Sequence, residues 1–245
     1  MMQWLMALEW DAIIQIIIID ILLGGDNAVI IALACRGLPP KLRKQGILWG
    51  SAGAIVLRVI LITVAVQLLS VPWLKLIGGV LLVWIGVKLL LPEGEGDEHA
   101  NIAASDKLWT AIRTIIVADF VMSLDNVIAI AGAAETADPS QRMGLIIFGL
   151  LVSVPFIVFG SQLILKLLDR FPIIITLGGA LLGWIAGGLV VSDPATLPYV
   201  PAHPYAGSIA SLIGAALVVA IAQGMTRFKG ARAKDPRHLQ GRRHD

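Results

Sequence analysis

Long apolar runs alternate with short polar segments along almost the whole chain. Each run is close to the ~20 mostly apolar residues that an α-helix needs to cross the hydrocarbon core of a membrane. Seven such runs lie at roughly residues 12–35, 47–69, 72–91, 109–134, 143–168, 172–191 and 206–226. Most prolines fall between the runs or at their ends, where helices stop. The pattern therefore predicts an all-α, polytopic membrane protein with seven transmembrane helices.

The composition agrees with this pattern, because 57% of the residues are hydrophobic and only 15% are charged. Soluble globular domains contain about 25% charged residues. The segment from Met1 to Asp11 has no Lys or Arg, so it lacks the basic start of a signal peptide, and we expect the first run to be retained. The sequence contains no recognisable nucleotide-binding loop, zinc-hydrolase motif or nucleophile triad. We therefore expect neither an enzyme nor a nucleic-acid-binding protein, and no permanently bound cofactor.

Lys and Arg are distributed unevenly between alternate connections. Sixteen of them lie on one side of the predicted membrane, and two, Lys75 and Arg142, lie on the other. Because basic residues accumulate on the cytoplasmic side, we predict an outside N-terminus and a cytoplasmic C-terminus. The basic tail at residues 227–245 can then contact the anionic inner leaflet. We interpret the acidic loop at residues 93–99 as a solvated linker.

Three of the predicted helices recur in the second half of the chain. Residues 48–50 read Leu-Trp-Gly, and residues 147–149, which lie 99 positions later, read Ile-Phe-Gly. An odd number of spans per repeat makes the second copy enter the membrane from the opposite side, as in transporters whose site lies near the midplane. We therefore predict one transmembrane domain, residues 1–226, with two inverted three-helix repeats and one extra helix. These parts lie at about residues 12–91, 109–191 and 206–226.

Both halves carry the same polar motif, Asp-x5-Asp-Asn, inside an apolar run. The motif comprises Asp20, Asp26 and Asn27 in the first half, and Asp119, Asp125 and Asn126 in the second. A carboxylate inside a membrane is energetically expensive, and it marks a candidate functional site by default. Four carboxylates at matched positions therefore predict one shared polar site.

The spacing of the motif suggests how its carboxylates could meet. Six positions on an unbroken helix correspond to a rotation of about 600°, which leaves Asp20 and Asp26 on different faces. The pair Gly24-Gly25 offers a place where the helix can open and bring them together. In the second half Ser123 stands in the place of Gly24, as a weaker helix breaker and a candidate hydroxyl ligand. Such oxygen donors suit Mg, Ca or Mn rather than soft metals.

Arg58 lies about 11 residues into the second run, and its counterpart in the other repeat is Ile157. We interpret Arg58 as a counter-ion of one of the Asp residues, and snorkelling to the interface is the alternative. Four carboxylates and one guanidinium leave a formal charge of −3, which a divalent cation and a proton would neutralise. A carboxylate proton relay, which can coexist with cation exchange, and a purely structural hydrogen-bonding role are the other interpretations.

The doubled motif resembles the TerC family of membrane proteins. The matching segments are Gly-Gly-Asp-Asn-Ala-Val at residues 24–29 and Ser-Leu-Asp-Asn-Val at residues 123–127. The resemblance covers roughly residues 8–226, and the short seven-span form is similar to the YjbE-type branch. It implies a bacterial inner-membrane protein that exports manganese, with tellurium resistance as a less direct association. The metal path that it implies consists of Asp20, Asp26, Asn27, Asp119, Asp125 and Asn126.

From the residues and the resemblance together we expect a transporter that exports a divalent cation, Mn²⁺ foremost. A proton-coupled exporter of a small organic solute and a membrane scaffold that assists secreted proteins are the alternatives. The excess of intramembrane carboxylates favours the cation, because an amphoteric solute would require matching Arg or Lys. The expected partners are the cation and the lipid bilayer. A homo-oligomer and a contact with the secretion machinery stay open.

Overall fold

The computed structural model describes residues 10–69, 71–91, 104–134, 141–201 and 203–233. Within these ranges the chain forms eight α-helices, a single-turn 3₁₀ helix at Leu197–Tyr199 and no β-strand. The helices are α1 (Trp10–Leu23), α2 (Gly25–Cys35), α3 (Pro40–Leu69), α4 (Leu74–Leu90), α5 (Ala104–Ala134), α6 (Arg142–Arg170), α7 (Ile173–Ser192) and α8 (Ala206–Ala233). The acidic loop at residues 93–99 and the tail beyond residue 233 lie outside the described residues.

The seven predicted runs all fall on helices, the first on α1 and α2 together and each of the others on one helix. Among the described residues, segments of α3, α6, α7 and α8 are long and apolar enough to cross a membrane, and the bent α1–α2 pair would be a fifth span. Helix α4 has 17 residues, fewer than the ~20 of a full span, and α5 carries several charged residues. The all-α, polytopic membrane architecture is confirmed, and the count of seven spans stays a prediction.

Gly24 interrupts the first run. Helix α1 ends at Leu23 and α2 begins at Gly25, and the two helices are bent by 46° relative to each other. Glycine permits this close turn because a Cβ at position 24 would collide with the carbonyl oxygen of Asp20. The predicted opening is therefore present in the first half. In the second half Ser123, at the equivalent position, lies inside α5, which continues without a break.

The helix packing relates the two halves of the chain. Helix α3 packs along α5, α6 packs along α1 and α2, and α4 packs against α7. If the first three predicted spans are exchanged with the second three, the α3–α5 contact becomes the contact between α6 and the α1–α2 pair. The contact between α4 and α7 is unchanged, because this exchange replaces each of the two helices by the other. This pairing is what two related three-span units produce, while their opposite orientation in a membrane stays a prediction.

Individual contacts repeat in the same way. A Cβ added to Gly50 on α3 would lie 2.5 Å from the side chain of Ile115, and one added to Gly149 on α6 would lie 2.5 Å from that of Ile16. The two glycines are 99 positions apart, and so are the two isoleucines. Glycine at both positions therefore lets a first-run helix of one half approach a second-run helix of the other.

Helix α8 is held against α7 by small residues. A Cβ at Gly183 would collide with the backbone of Gly214, and a Cβ at Gly187 would collide with the backbone of Ala210. Such close backbone approach is typical of helix pairs in membranes. This contact fixes the extra helix to the second half. The polar site lies elsewhere, between α1, α3, α5 and α6.

Candidate functional site

Three charged side chains are buried together where α1, α3 and α5 meet. Asp20 on α1 is 1% exposed, Arg58 on α3 is 3% exposed and Asp119 on α5 is 6% exposed. Asp20 and Asp119 are the first carboxylates of the two copies of the motif. A buried charge is costly unless it is paired and hydrogen-bonded. The site therefore depends on contacts between the two halves of the chain.

The guanidinium of Arg58 bridges the two carboxylates. Its Nη2 donates to Oδ1 of Asp119 at 2.7 Å, and its Nη1 donates to Oδ1 of Asp20. Its Nε also donates to the hydroxyl oxygen of Ser123 at 3.2 Å. A planar guanidinium presents its donors in a fixed fork, which suits it to hold several acceptors at once. Arg58 therefore pairs with a motif carboxylate from each half rather than from one half.

Serine hydroxyls contact the remaining oxygens of these carboxylates. Ser123 donates to Oδ2 of Asp119 at 3.1 Å. Ser153 on α6 makes a hydrogen bond with Oδ2 of Asp20, and its hydroxyl also lies 2.8 Å from the carbonyl oxygen of Leu150. Each carboxylate thus has one oxygen held by Arg58 and the other by a serine. All four carboxylate oxygens are therefore hydrogen-bonded, while the single charge of Arg58 offsets only one of the two negative charges.

Asp26 and Asn27 lie at the start of α2, immediately after the break. Oδ1 of Asp26 accepts the backbone N–H of Asn27 at 2.8 Å, and the dipole of α2 favours a negative charge in its first turn. Asp26 is also close enough to Arg58 and Asp119 to interact with their charges. When Asp20 is included, these three carboxylates and one guanidinium carry a formal charge of −2.

Asn27 is buried without a hydrogen bond for its side chain. It is 4% exposed, and neither its Nδ2 nor its Oδ1 has a partner within the described part of the chain. Buried amides are nearly always hydrogen-bonded. Asn27 and Asp119 line a cavity of about 10 Å³, whose other walls are apolar. That volume is about the space of one water molecule or one dehydrated ion. An unpaired amide of one half therefore faces the same small space as a carboxylate of the other.

The remaining predicted ligands are placed differently. Asn126 is half-buried on α5, and the side chain of Asp125 lies outside the described residues. Among the side chains that the structure describes, no three His, Cys, Asp or Glu residues form a group that could hold a metal ion. The guanidinium of Arg58, and no third acidic side chain, lies between Asp20 and Asp119 in the described residues. Asp20 and Asp119 therefore belong to the Arg58 bridge and Asn27 to the cavity beside Asp119, whereas Asp26 and Asn126 are part of neither.

Ser153 was not predicted from the sequence as a site residue. It is a single hydroxyl in an apolar stretch, and its counterpart in the first half is Ala54. One signal was available, because Ser153 lies four positions before Ile157, the counterpart of Arg58. Residues four positions apart on a helix share a face. Ser153 on α6 and Arg58 on α3 therefore belong to corresponding faces of the two repeats.

Asp193, just beyond the end of α7, is a further buried carboxylate, and it was not predicted from the sequence as a site residue. It accepts backbone N–H groups from Trp73 at 2.9 Å and Leu76 at 3.1 Å, at the start of α4, and from Ala195 at 2.7 Å. Burial acts to raise the pKa of Asp193, but the backbone donors outweigh it and hold the pKa below its usual value. Asp193 therefore links the end of α7 to the start of α4.

The chain, with its buried polar centre among apolar helices, also matches a known protein family. The family described as integral membrane protein TerC family matches residues 6–231. The chain belongs to the TerC family. The resemblance inferred from the doubled Asp-Asn motif is thereby confirmed, and the match covers every described helix except the last two residues of α8.

Several curated proteins resemble this TerC-family chain. Uncharacterized membrane protein YjbE of Bacillus subtilis (strain 168) is 40% identical over 215 residues, which are 86% of this chain and 95% of that protein. Uncharacterized membrane protein YceF of the same organism is 24% identical over 186 residues, 73% of this chain and 70% of that protein. UPF0053 inner membrane protein YgdQ of Escherichia coli (strain K12) is 26% identical over 178 residues, 66% of this chain and 73% of that protein. No solved structure matches the chain.

Proposed function

We propose that this protein exports a divalent metal cation, with Mn²⁺ as its substrate, across the inner membrane of a bacterium. The observation that carries the proposal is the meeting of Asp20 and Asp119, from equivalent positions of the two halves, in the protein interior. Together with Asp26 they exceed the single charge of Arg58 by two. A divalent cation carries the charge that neutralises this excess, whereas an anionic solute would increase the imbalance.

The donor atoms support the choice of ion. The polar side chains of the site offer carboxylate oxygens, the amide oxygen of Asn27 and the hydroxyls of Ser123 and Ser153. Hard oxygen donors suit Mg²⁺, Ca²⁺ and Mn²⁺. The family resemblance favours Mn²⁺ among these. The unpaired amide of Asn27 supports a ligand role in particular, because it faces the Asp119 cavity with no hydrogen bond to lose.

The membrane arrangement is part of the same proposal. We propose seven spans in two inverted repeats plus α8, an outside N-terminus and a cytoplasmic C-terminus. The repeated Gly–Ile contacts and the matching helix pairs support the repeat, and the distribution of Lys and Arg supports the orientation. The relative YgdQ is named as an inner membrane protein, which supports that location here.

Replacement of Asp119 by Asn tests the proposal. The amide keeps the size of the side chain but removes one negative charge from the site. Loss of one charged contact in a buried site costs about 1.5–3 kcal/mol, which corresponds to a factor of roughly 10–150 in binding. We therefore expect Mn²⁺ flux into proteoliposomes to fall at least about tenfold for Asp119→Asn at matched protein content.

Asp169→Asn is the matched control. Asp169 pairs with Arg43 at 3.0 Å, and its side chain is 57% exposed, so its loss should leave Mn²⁺ flux close to that of the wild type. Undiminished flux through Asp119→Asn would refute the cation site. Absence of Mn²⁺ flux through the wild-type protein, with manganese tolerance of cells still dependent on it, would favour the scaffold interpretation instead.

A further inference from the structure

One guanidinium holds together the two carboxylates that would otherwise be the strongest cation ligands of the site. Arg58 contacts Oδ1 of both Asp20 and Asp119. The counterpart of Arg58 in the second half is Ile157, so a single positive charge serves two equivalent acceptors. The positive charge that bridges the two halves is therefore that of one side chain, Arg58, which belongs to the first half.

Every oxygen of the two carboxylates has a hydrogen-bond donor. Oδ1 of each Asp accepts from Arg58, while the Oδ2 atoms are hydrogen-bonded to Ser153 and Ser123. A metal ion between Asp20 and Asp119 would have to occupy the space of the guanidinium, and the two positive charges would repel each other there. A cation between Asp20 and Asp119 and the bridge observed here are therefore mutually exclusive.

We infer that Arg58 is a built-in competitor of the transported cation. The cation can occupy the space between Asp20 and Asp119 only after the guanidinium has left, and the return of the guanidinium expels the cation. The Arg58 bridge to both carboxylates is then the arrangement that excludes the cation. This inference rests on the proposed function and adds to it the regulation of the same site, because it assigns to Arg58 the release step.

The competition predicts opposite effects on binding and on transport. Arg58→Gln removes the competing charge and leaves both carboxylates to the ion, so the purified protein should bind Mn²⁺ at least about tenfold more tightly than the wild type. The same variant should transport Mn²⁺ at least about tenfold more slowly, because nothing displaces the bound ion. A residue with a merely structural role would weaken binding and transport together.

Binding can be measured by titration of the detergent-solubilised full chain with MnCl₂, with loss of the paramagnetic resonance signal of free Mn²⁺ as the readout. Proteoliposome flux is measured on the same preparations. Arg113→Gln is the control, because it removes an equal charge from an exposed side chain that stacks on Trp109 at 4.9 Å. It should alter neither quantity.

The outcomes separate the inference from the function on which it rests. Tighter binding together with slower transport in Arg58→Gln supports the inference. Equal or weaker binding by a folded Arg58→Gln variant overturns the inference. The proposed function survives that result if the wild-type protein transports Mn²⁺. If the wild type neither binds nor transports Mn²⁺, the proposed function and the inference both fail. If Arg58→Gln does not fold, Arg58→Met replaces it, because it also removes the charge and fills the space with an unbranched side chain. Arg58→Met should also bind more tightly and transport more slowly, and unchanged or weaker binding would overturn the inference.

Discussion

Replacement of Asp193 by Ala should loosen the junction between α7 and α4. The carboxylate accepts backbone N–H hydrogen bonds from Trp73, Leu76 and Ala195. Trp73 has a left-handed backbone with a φ of 72°, a conformation that is unfavourable for a residue with a side chain. Asp193 therefore caps α4 from another part of the chain and also secures a strained residue. The substitution leaves all three donors without this acceptor.

The expected loss follows from these contacts. Removal of a helix N-cap costs about 1 kcal/mol, and a hydrogen bond to a charged group contributes about 1.5–3 kcal/mol. Trp73 is 55% exposed, so water can reach the start of α4 and replace part of what is lost. We therefore expect Asp193→Ala to lower the free energy of unfolding by about 2–4 kcal/mol. Asp193→Asn keeps one acceptor oxygen and should lose about half as much.

The effect should also depend on pH. The pKa of Asp193 lies below its ordinary value of 3.8 in the folded protein, so its stabilisation is fully present above that value and is lost as the pH falls through the lower, folded-state pKa. The difference between the wild type and Asp193→Ala should be constant at neutral pH and shrink in strong acid. Unfolding by SDS in mixed micelles, followed by tryptophan fluorescence, measures both the loss of stability in Asp193→Ala and its dependence on pH. Asp169→Asn is the surface control, and equal stability of Asp193→Ala and the wild type at pH 7 would refute the reasoning.

Three further expectations can be checked independently. Gly183→Ala should destabilise the α7–α8 pair in the same SDS titration, because its Cβ would collide with the backbone of Gly214. Gly207→Ala should be neutral, because its Cβ would meet nothing within 4 Å. Equal stability of the two variants would contradict the close packing of α7 and α8. Reporter fusions at residue 100 and at the C-terminus should report the cytoplasm and a fusion at residue 200 the outside, and a cytoplasmic signal at residue 200 would rule out the inverted repeat. Asp26→Asn and Asp125→Asn should each insert normally and fail to relieve manganese toxicity, and full protection by either would exclude that carboxylate from the path.

The positions of the carboxylates could be predicted because the repeat defines which residues are equivalent. Asp20 and Asp119 share a place in two similar sequences, so their meeting follows once the halves pack face to face. The opening at Gly24 could also be predicted, because the weakness of glycine in a helix is a local property. The continuity of α5 at Ser123 shows the limit of the same argument, since serine favours a break without imposing one.

The partners of the carboxylates could not be predicted in the same way. Ser153 meets Asp20 across 133 positions of sequence, and a single hydroxyl in an apolar run has no periodicity that would indicate its partner. The bridging of both carboxylates by Arg58, rather than a pair with one of them, depends on how closely both α1 and α5 approach α3. That approach is set by packing between helices, through contacts such as Gly50 of α3 on Ile115 of α5, which no local pattern specifies.

The paired Gly–Ile contacts give this molecule an internal reference for its own energetics. Gly50 on Ile115 and Gly149 on Ile16 are the same contact made twice in one polypeptide. The two copies share one expression level, one bilayer and one unfolding transition. A methyl group added at either glycine perturbs the same chemistry, so any difference between the two penalties reports the surroundings of each contact. The energetic penalties at Gly50 and Gly149 can therefore be compared directly within one protein.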